Sequence, residues 1–267
     1  MKGEQHVFYT LLSLAVFLPL ILATDRLSPA ELIVFTIGVF VGSLAPDADA
    51  ADSAIMHGLA GGKGTVRTAR RHTVIILPFF GYLIRYLIYY PISALVFIVS
   101  LGRIKPKHRG LLHSLFGTVF AALILTIYLR IITDILLAVF LAADVTAAID
   151  SFLLIFCAGV LFGAILHLIE DSCTHEGVYW LFPFGSVKLS GTLTPSSRKN
   201  RLIVVVLGIA AIISLTFGNA YRINGAAGVN ATGMIAGTEM ILPAIMPLLY
   251  LGAAWITAFY ISGTHRG

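Results

Sequence analysis

The sequence predicts an all-α protein, a polytopic transmembrane helical bundle. Of 267 residues, 58% are hydrophobic and 12% charged, about half the charge fraction usual in soluble domains. Apolar runs recur along the whole chain, as spanning helices require. The short alternating strands of a membrane β-barrel are missing from the pattern. The length suits one integral-membrane domain over residues 1–267. The two cysteines, Cys157 and Cys173, make neither a disulfide framework nor a thiolate cluster. The net charge of +5 reads as the cytoplasmic bias of Lys and Arg in membrane proteins rather than as nucleic-acid binding.

Val7 to Ala23 is the first apolar run, and its end lacks a small-x-small cleavage pattern, so a retained helix is expected rather than a signal peptide. Ser28-Pro29-Ala30-Glu31 reads as a helix start, with a capping Ser, Pro at the first position and an acid in the first turn. That second helix ends near Leu44 or Ala45, at Pro46-Asp47-Ala48-Asp49. The loop Ser53–Arg71 is rich in Gly and basic residues. Its Gly61-Gly62-Lys63-Gly64-Thr65 fails the phosphate-loop pattern, because Gly64 follows the lysine where Ser or Thr is needed.

Thr73–Gly102 is apolar but interrupted by Pro78, Arg85 and Pro91, and is expected to form a bent hairpin or re-entrant pair. A basic loop, Arg103–Arg109, leads into a long helix from Ser114 to about Ala143, in which Arg130 and Asp134 are spaced to pair. Ser151 to about Asp171 is the next helix. The last two run from Leu202 to Phe217 and from Ile241 to Ile261. Arg85 and Arg130 are costly in lipid and are expected to face the interior.

With the N-terminus in the cytoplasm and Thr73–Gly102 folded back on itself, the basic clusters Lys63–Arg71, Arg103–Arg109 and Lys188–Arg201 fall inside. The same topology places His6, Asp47, Asp49, His108, His113, His167 and Asp171 together at cytoplasmic helix ends. His6 is expected just before the first helix. His167 and Asp171 are four apart, so they share one helix face. Asp47 and Asp49 straddle one loop residue, and Glu170 competes with Asp171 as a ligand.

Imidazole with carboxylate suits a divalent transition metal, zinc first, then manganese or iron. A tetrahedral zinc takes about four ligands, so this set implies two ions, or one ion with supporting groups. Isolated His57, His72, His175 and His265 read as loop or surface residues. Cys157 reads as core, and Ser114 as a helix cap.

These residues resemble the YdjM-like membrane-bound, metal-dependent hydrolases, described as LexA-binding, inner-membrane-associated candidate hydrolases. The matching pieces are His6, the element Ala45-Pro46-Asp47-Ala48-Asp49, the element His108–Ser114, and Gly163, His167, Asp171, Thr174 and Gly177, with an aromatic-Pro end at Trp180–Pro183. They cover about the first 190 residues as a family-like core, with 191–267 as additional helices. The chain departs from the family's usual residues at Ala50-Ala51, Leu112 and His175.

The resemblance implies a prokaryotic inner-membrane location, hydrolysis of an ester or phosphoester and a regulatory protein partner. A fainter likeness to the zinc-dependent phospholipase C and single-strand nuclease superfamily implies a phosphoester, with membrane lipid as a candidate substrate. On this reading an aspartate, Asp49, acts as base, and Arg109 binds the anionic part of the substrate. A non-catalytic regulatory membrane protein is the alternative. A transporter is the third, but its site would lie near the bilayer midplane.

Overall fold

The computed structural model describes residues 3–23, 27–57, 76–104, 109–140, 146–226 and 238–267. His108, His72, Lys63 and the glycine-rich stretch 61–65 lie outside them. Helix α1 is Gly3–Ala23 and α2 is Pro29–Gly42. A 3-10 turn follows at Ala45–Asp49, then the short α3, Ala54–His57. Ser28 caps α2 as expected: its hydroxyl accepts the Glu31 amide at 3.3 Å, and Glu31 accepts the Ser28 amide at 2.7 Å.

The segment expected to fold back is instead one unbroken helix, α4. It consists of Ile76–Tyr82, a π-helical stretch Leu83–Tyr89, and Tyr90–Val99. Neither proline breaks it. Pro78 lies near the helix start, where a missing amide costs little. Pro91 removes a donor to the Leu87 carbonyl, and the Tyr128 hydroxyl donates to that carbonyl at 3.2 Å. The hairpin argument for topology therefore falls away. The meeting of the site residues does not depend on it.

Three further long helices follow: α5 at Leu115–Phe140, α6 at Thr146–Ser172 and α7 at Arg198–Ala226. The last, α8, is Thr238–Ser262. A two-residue ribbon pairs β1, Leu189–Ser190, antiparallel with β2, His265–Arg266. Among the described residues, 5 helices are long and apolar enough to cross a membrane, α4 to α8, and α2 is a shorter apolar helix. Exposed Leu154, Ile212, Ile256 and Tyr260 belong to an outer face suited to lipid. Arg130 is not interior. It is half-buried and pairs with Asp134 at 2.9 Å and with Asp150.

The tightest pairing is α2 on α6, and its cause is in the sequence. Gly38 and Gly42 on α2 face Gly159 and Gly163 on α6, two small-xxx-small pairs. A methyl group at Gly42 would overlap the Val160 carbonyl, and one at Gly163 would overlap the Val39 carbonyl. In lipid, helices gain association energy from such close van der Waals contact rather than from hydrophobic burial. The result holds the end of α2, which carries the aspartates, against the end of α6, which carries His167 and Asp171.

Helix α1 joins this pair to α7 and α8. Interhelical hydrogen bonds fix it: Trp255 Nε1 donates to Ser13 Oγ at 3.1 Å, Ser214 Oγ to the Val16 carbonyl at 2.7 Å, and Tyr9 Oη to Asn200 Oδ1 at 2.5 Å. Each such bond within a membrane averages about 0.6 kcal/mol. Together they set the rotation of α1, and so the direction of His6.

Candidate metal centre

Four chain ends converge at one end of the bundle. His6 comes from the first turn of α1, inside the helix rather than before it. Asp47 and Asp49 come from the 3-10 turn after α2. His113 precedes α5, and His167 and Asp171 stand on the last turns of α6. Ser114 caps α5, accepting the Gly117 amide at 3.0 Å.

Two of the three imidazoles have their orientation fixed from behind. His167 Nδ1 donates to the Ser43 carbonyl at 2.7 Å, which places the ring proton on Nδ1. His6 Nδ1 lies 2.6 Å from Glu170 Oε2, and Thr10 Oγ1 donates to the other Glu170 oxygen at 3.0 Å. Both rings thus turn Nε2 inward. They stack with centroids 3.9 Å apart. Both Nε2 atoms are buried and have no hydrogen-bond partner among the described residues.

The spacing around these nitrogens fits a cation. His6 Nε2 is 3.5 Å from Asp171 Oδ1, and His167 Nε2 is 3.6 Å from Asp171 Oδ2 and 3.7 Å from Asp47 Oδ1. His113 Nε2 is 3.3 Å from Asp47 Oδ1 and 3.7 Å from Asp171 Oδ2. These separations exceed the usual hydrogen-bond range. Ligands around a tetrahedral ion with bonds of about 2.0–2.1 Å stand about 3.3 Å apart. In each of two sets, His6 with Asp47 and His167, and His113 with His167 and Asp171, the ligand atoms lie within 4.8 Å of one another. Imidazole and carboxylate together suit zinc, manganese or iron.

Electrostatics favours the ionised carboxylate at Asp47. Burial alone would raise its pKa, but the imidazoles of His167 and His113 outweigh burial and hold it well below the usual range. Cys173 is buried next to the site, and burial pushes its thiol up to about 11.

Five of the seven expected ligands meet here: His6, Asp47, His113, His167 and Asp171. Asp49 stands behind them. Its Oδ2 is 3.8 Å from His113 Nδ1 and accepts the Arg109 backbone amide at 3.2 Å. Arg109 adopts a left-handed backbone, φ 59°, a strained conformation for a residue with a side chain. Its guanidinium is already engaged: Nη1 is 3.0 Å from Asp171 Oδ2, and Nε is 2.9 Å from Glu176 Oε2. His175 and His265 are exposed as expected, whereas His57 is half-buried at the end of α3, its Nε2 2.8 Å from the Ala51 carbonyl.

Sequence reasoning missed the supporting groups Ser43, Thr10 and Glu176, and weighed Glu170 only as a rival ligand. The facing Gly-x-x-x-Gly pairs were a legible signal.

Fold and site define a polytopic helical membrane protein with a buried His/Asp cluster at one end of the bundle. The chain belongs to the YdjM inner membrane protein family, whose model matches residues 1–261. That match includes α7 and most of α8, beyond the reach of the quoted motifs. No curated protein and no solved structure gives a match.

Proposed function

We propose that this chain is a membrane-bound, metal-dependent hydrolase of ester or phosphoester bonds, its site facing the cytoplasm and its substrate drawn from membrane lipid. The observation that carries this reading is that the cluster is open on one side. The side chains of His6, His113, His167 and Asp171 are at most 1% exposed, whereas Asp47 keeps 16% and Arg109 15%. Structural metal sites close every position, and catalytic ones keep one open.

In this reading the ion, zinc before manganese or iron, takes its ligands from among His6, Asp47, His113, His167 and Asp171 with one position left open, and His108 is a further candidate beside Arg109. A divalent metal supplies Lewis-acid polarisation and eases loss of a proton from water near neutral pH. Glu170 and Ser43 keep two imidazoles in the ligating tautomer. Asp49, assigned as base from the sequence, becomes a positioning residue for His113 and the Arg109 loop. Arg109, at the open edge, receives the anionic part of the substrate. The two ligand sets share only His167, so the residue set fits one ion or two.

The cytoplasmic orientation is supported by charge. Asn200, bonded to Tyr9 near the site end of α1, is flanked by Arg198, Lys199 and Arg201, and this is the basic side that stays inside.

The rival is a regulatory membrane protein that keeps the metal for structure and binds a protein partner. The near-complete burial of four ligands favours it. One experiment separates the two. Purified protein is assayed for bound metal and for turnover of lipid esters and phosphoesters, beside a His167→Ala/Asp171→Ala variant. Metal with chelator-sensitive turnover supports the hydrolase. Metal without turnover supports the rival. Wild type lacking transition metal ends both readings.

A further inference from the structure

The turn Trp180–Phe184 exposes two large apolar side chains outside the spanning helices: Phe184 is 78% exposed and Leu181 59%. Its depth is fixed by the ends of two spans. The apolar span of α5 begins at Leu115, and that of α6 ends at Ser172. Leu115 donates its amide to the Trp180 carbonyl at 3.0 Å, and Trp180 Nε1 donates to Ser172 Oγ at 2.9 Å. Both bonds hold the turn where apolar helix gives way to polar chain, at the membrane–water boundary. Tryptophan is enriched at that depth, where its ring meets lipid and its N–H finds a polar partner.

The direction in which the turn faces is set by α5. Phe116, Phe120, Leu123, Ile127 and Ile131 are all exposed. Steps of three and four residues put them on one face of the helix, and an exposed apolar face on a spanning helix is its lipid face. Phe184 packs edge-on against Phe116, with ring centroids 5.1 Å apart. It therefore carries that stripe past the end of the helix. The backbone of the turn is suited to the same surroundings. Phe182 donates its amide to the Tyr179 carbonyl at 3.1 Å, and Phe184 and Gly185 donate theirs to the Leu181 carbonyl at 2.7 and 2.8 Å. Pro183 has no amide to satisfy. Donors paired within the turn lower the cost of leaving water.

We propose that the turn Trp180–Phe184 is seated in the bilayer, with Trp180 among the lipid headgroups and Leu181 and Phe184 against the first acyl carbons. The occupant of this face is lipid rather than a second protein surface, because the face continues the lipid stripe of α5. The same loop carries Glu176 to Arg109, so seating the turn holds the open edge of the metal centre beside the bilayer. The seating stands whether or not the metal centre is catalytic.

The test places nitroxide labels on the full chain in phosphatidylcholine nanodiscs. It reads collisions with oxygen, which concentrates in lipid, and with a water-soluble nickel chelate. Phe184→Cys and Leu181→Cys put the label where the native side chain is exposed. Labelled wild type subtracts any signal from Cys157 and Cys173. Leu123→Cys marks the lipid face of α5, and Arg266→Cys marks an exposed, charged position of the ribbon. The labels of Phe184→Cys and Leu181→Cys are expected to lose most of the nickel collisions seen with Arg266→Cys and to keep frequent oxygen collisions, as Leu123→Cys does. Nickel collisions in Phe184→Cys as frequent as in Arg266→Cys overturn the proposal, since the turn then stands in water. Shielding of Phe184→Cys from both reagents also overturns it, since protein then covers the face. Leu181→Cys decides in the same way if Phe184→Cys does not fold.

Discussion

His6 Nδ1 and Glu170 Oε2 meet at 2.6 Å although 164 positions separate them in the chain. The contact ties α1 to α6 and decides which way the His6 ring faces. Glu170 thus orients His6, a candidate ligand, rather than turning to the cluster itself. Losing such a supporting carboxylate costs about 10- to 100-fold in metal affinity. Glu170→Ala is expected to show that loss in competition with a chromogenic chelator. Glu170→Gln, which keeps an acceptor oxygen, should lose less. An unchanged affinity in Glu170→Ala would remove Glu170 from the site.

The residue types of the candidate site were legible in the sequence because His and Asp are scarce in so apolar a chain. Their convergence was not: the alternation of helix ends that grouped them assumed a fold-back at Thr73–Gly102, and that segment is one helix. The roles of Glu170 and Asp171 were not, since at three and four residues after His167 both fit its face. The tertiary partner decides: His6 Nδ1 and Thr10 take Glu170, while Asp171 faces the imidazole Nε2 atoms. The fold-back expected at Thr73–Gly102 failed for a similar reason. Pro91 reads locally as a break, but the Tyr128 hydroxyl that satisfies the Leu87 carbonyl comes from another helix.

The α2–α6 contact should transmit damage to the site. Gly42→Val and Gly163→Val each force a side chain into a neighbouring backbone carbonyl. Overpacking of this kind costs about 1–3 kcal/mol. Both variants are expected to melt earlier and to bind metal more weakly, because Asp47 then moves relative to His167. Gly208→Ala on α7 is the control. Nothing lies within 4 Å of its added methyl, and Ala favours helix over Gly by about 0.5–1 kcal/mol, so its melting temperature should hold or rise. Equal behaviour of Gly42→Val and Gly208→Ala would contradict the packing argument.

Asp47 gives a pH dependence with a defined sign. Burial pushes its pKa up, but His167 and His113 hold it well below the unfolded value, which is about 3.9. A depressed carboxyl contributes stability above its unfolded pKa and loses it as pH falls through the folded one. Metal-free wild type should therefore outlast metal-free Asp47→Asn at pH about 5 and still at pH about 4. The gap should close only in stronger acid. Thermal melts across this range check it, and a gap already closed at pH about 5 would show that the imidazoles do not hold Asp47 ionised.

Arg109 raises a question of access. Its Nε is 2.9 Å from Glu176 Oε2, and its Nη1 holds Asp171. Glu176 is 69% exposed, and exposed ion pairs of this kind are worth about 0–1 kcal/mol. A substrate anion therefore competes with a weakly held carboxylate on one edge of the guanidinium, while the other edge keeps Asp171 aligned. Glu176→Gln removes the competing charge without touching the cluster. Inorganic phosphate should bind this variant up to about fivefold more tightly than wild type, with metal content unchanged. Arg109→Lys, which loses the fork, should bind phosphate more weakly than either. If Glu176→Gln and wild type bind phosphate equally while Arg109→Lys loses metal, Arg109 serves Asp171 alone and the anion site lies elsewhere.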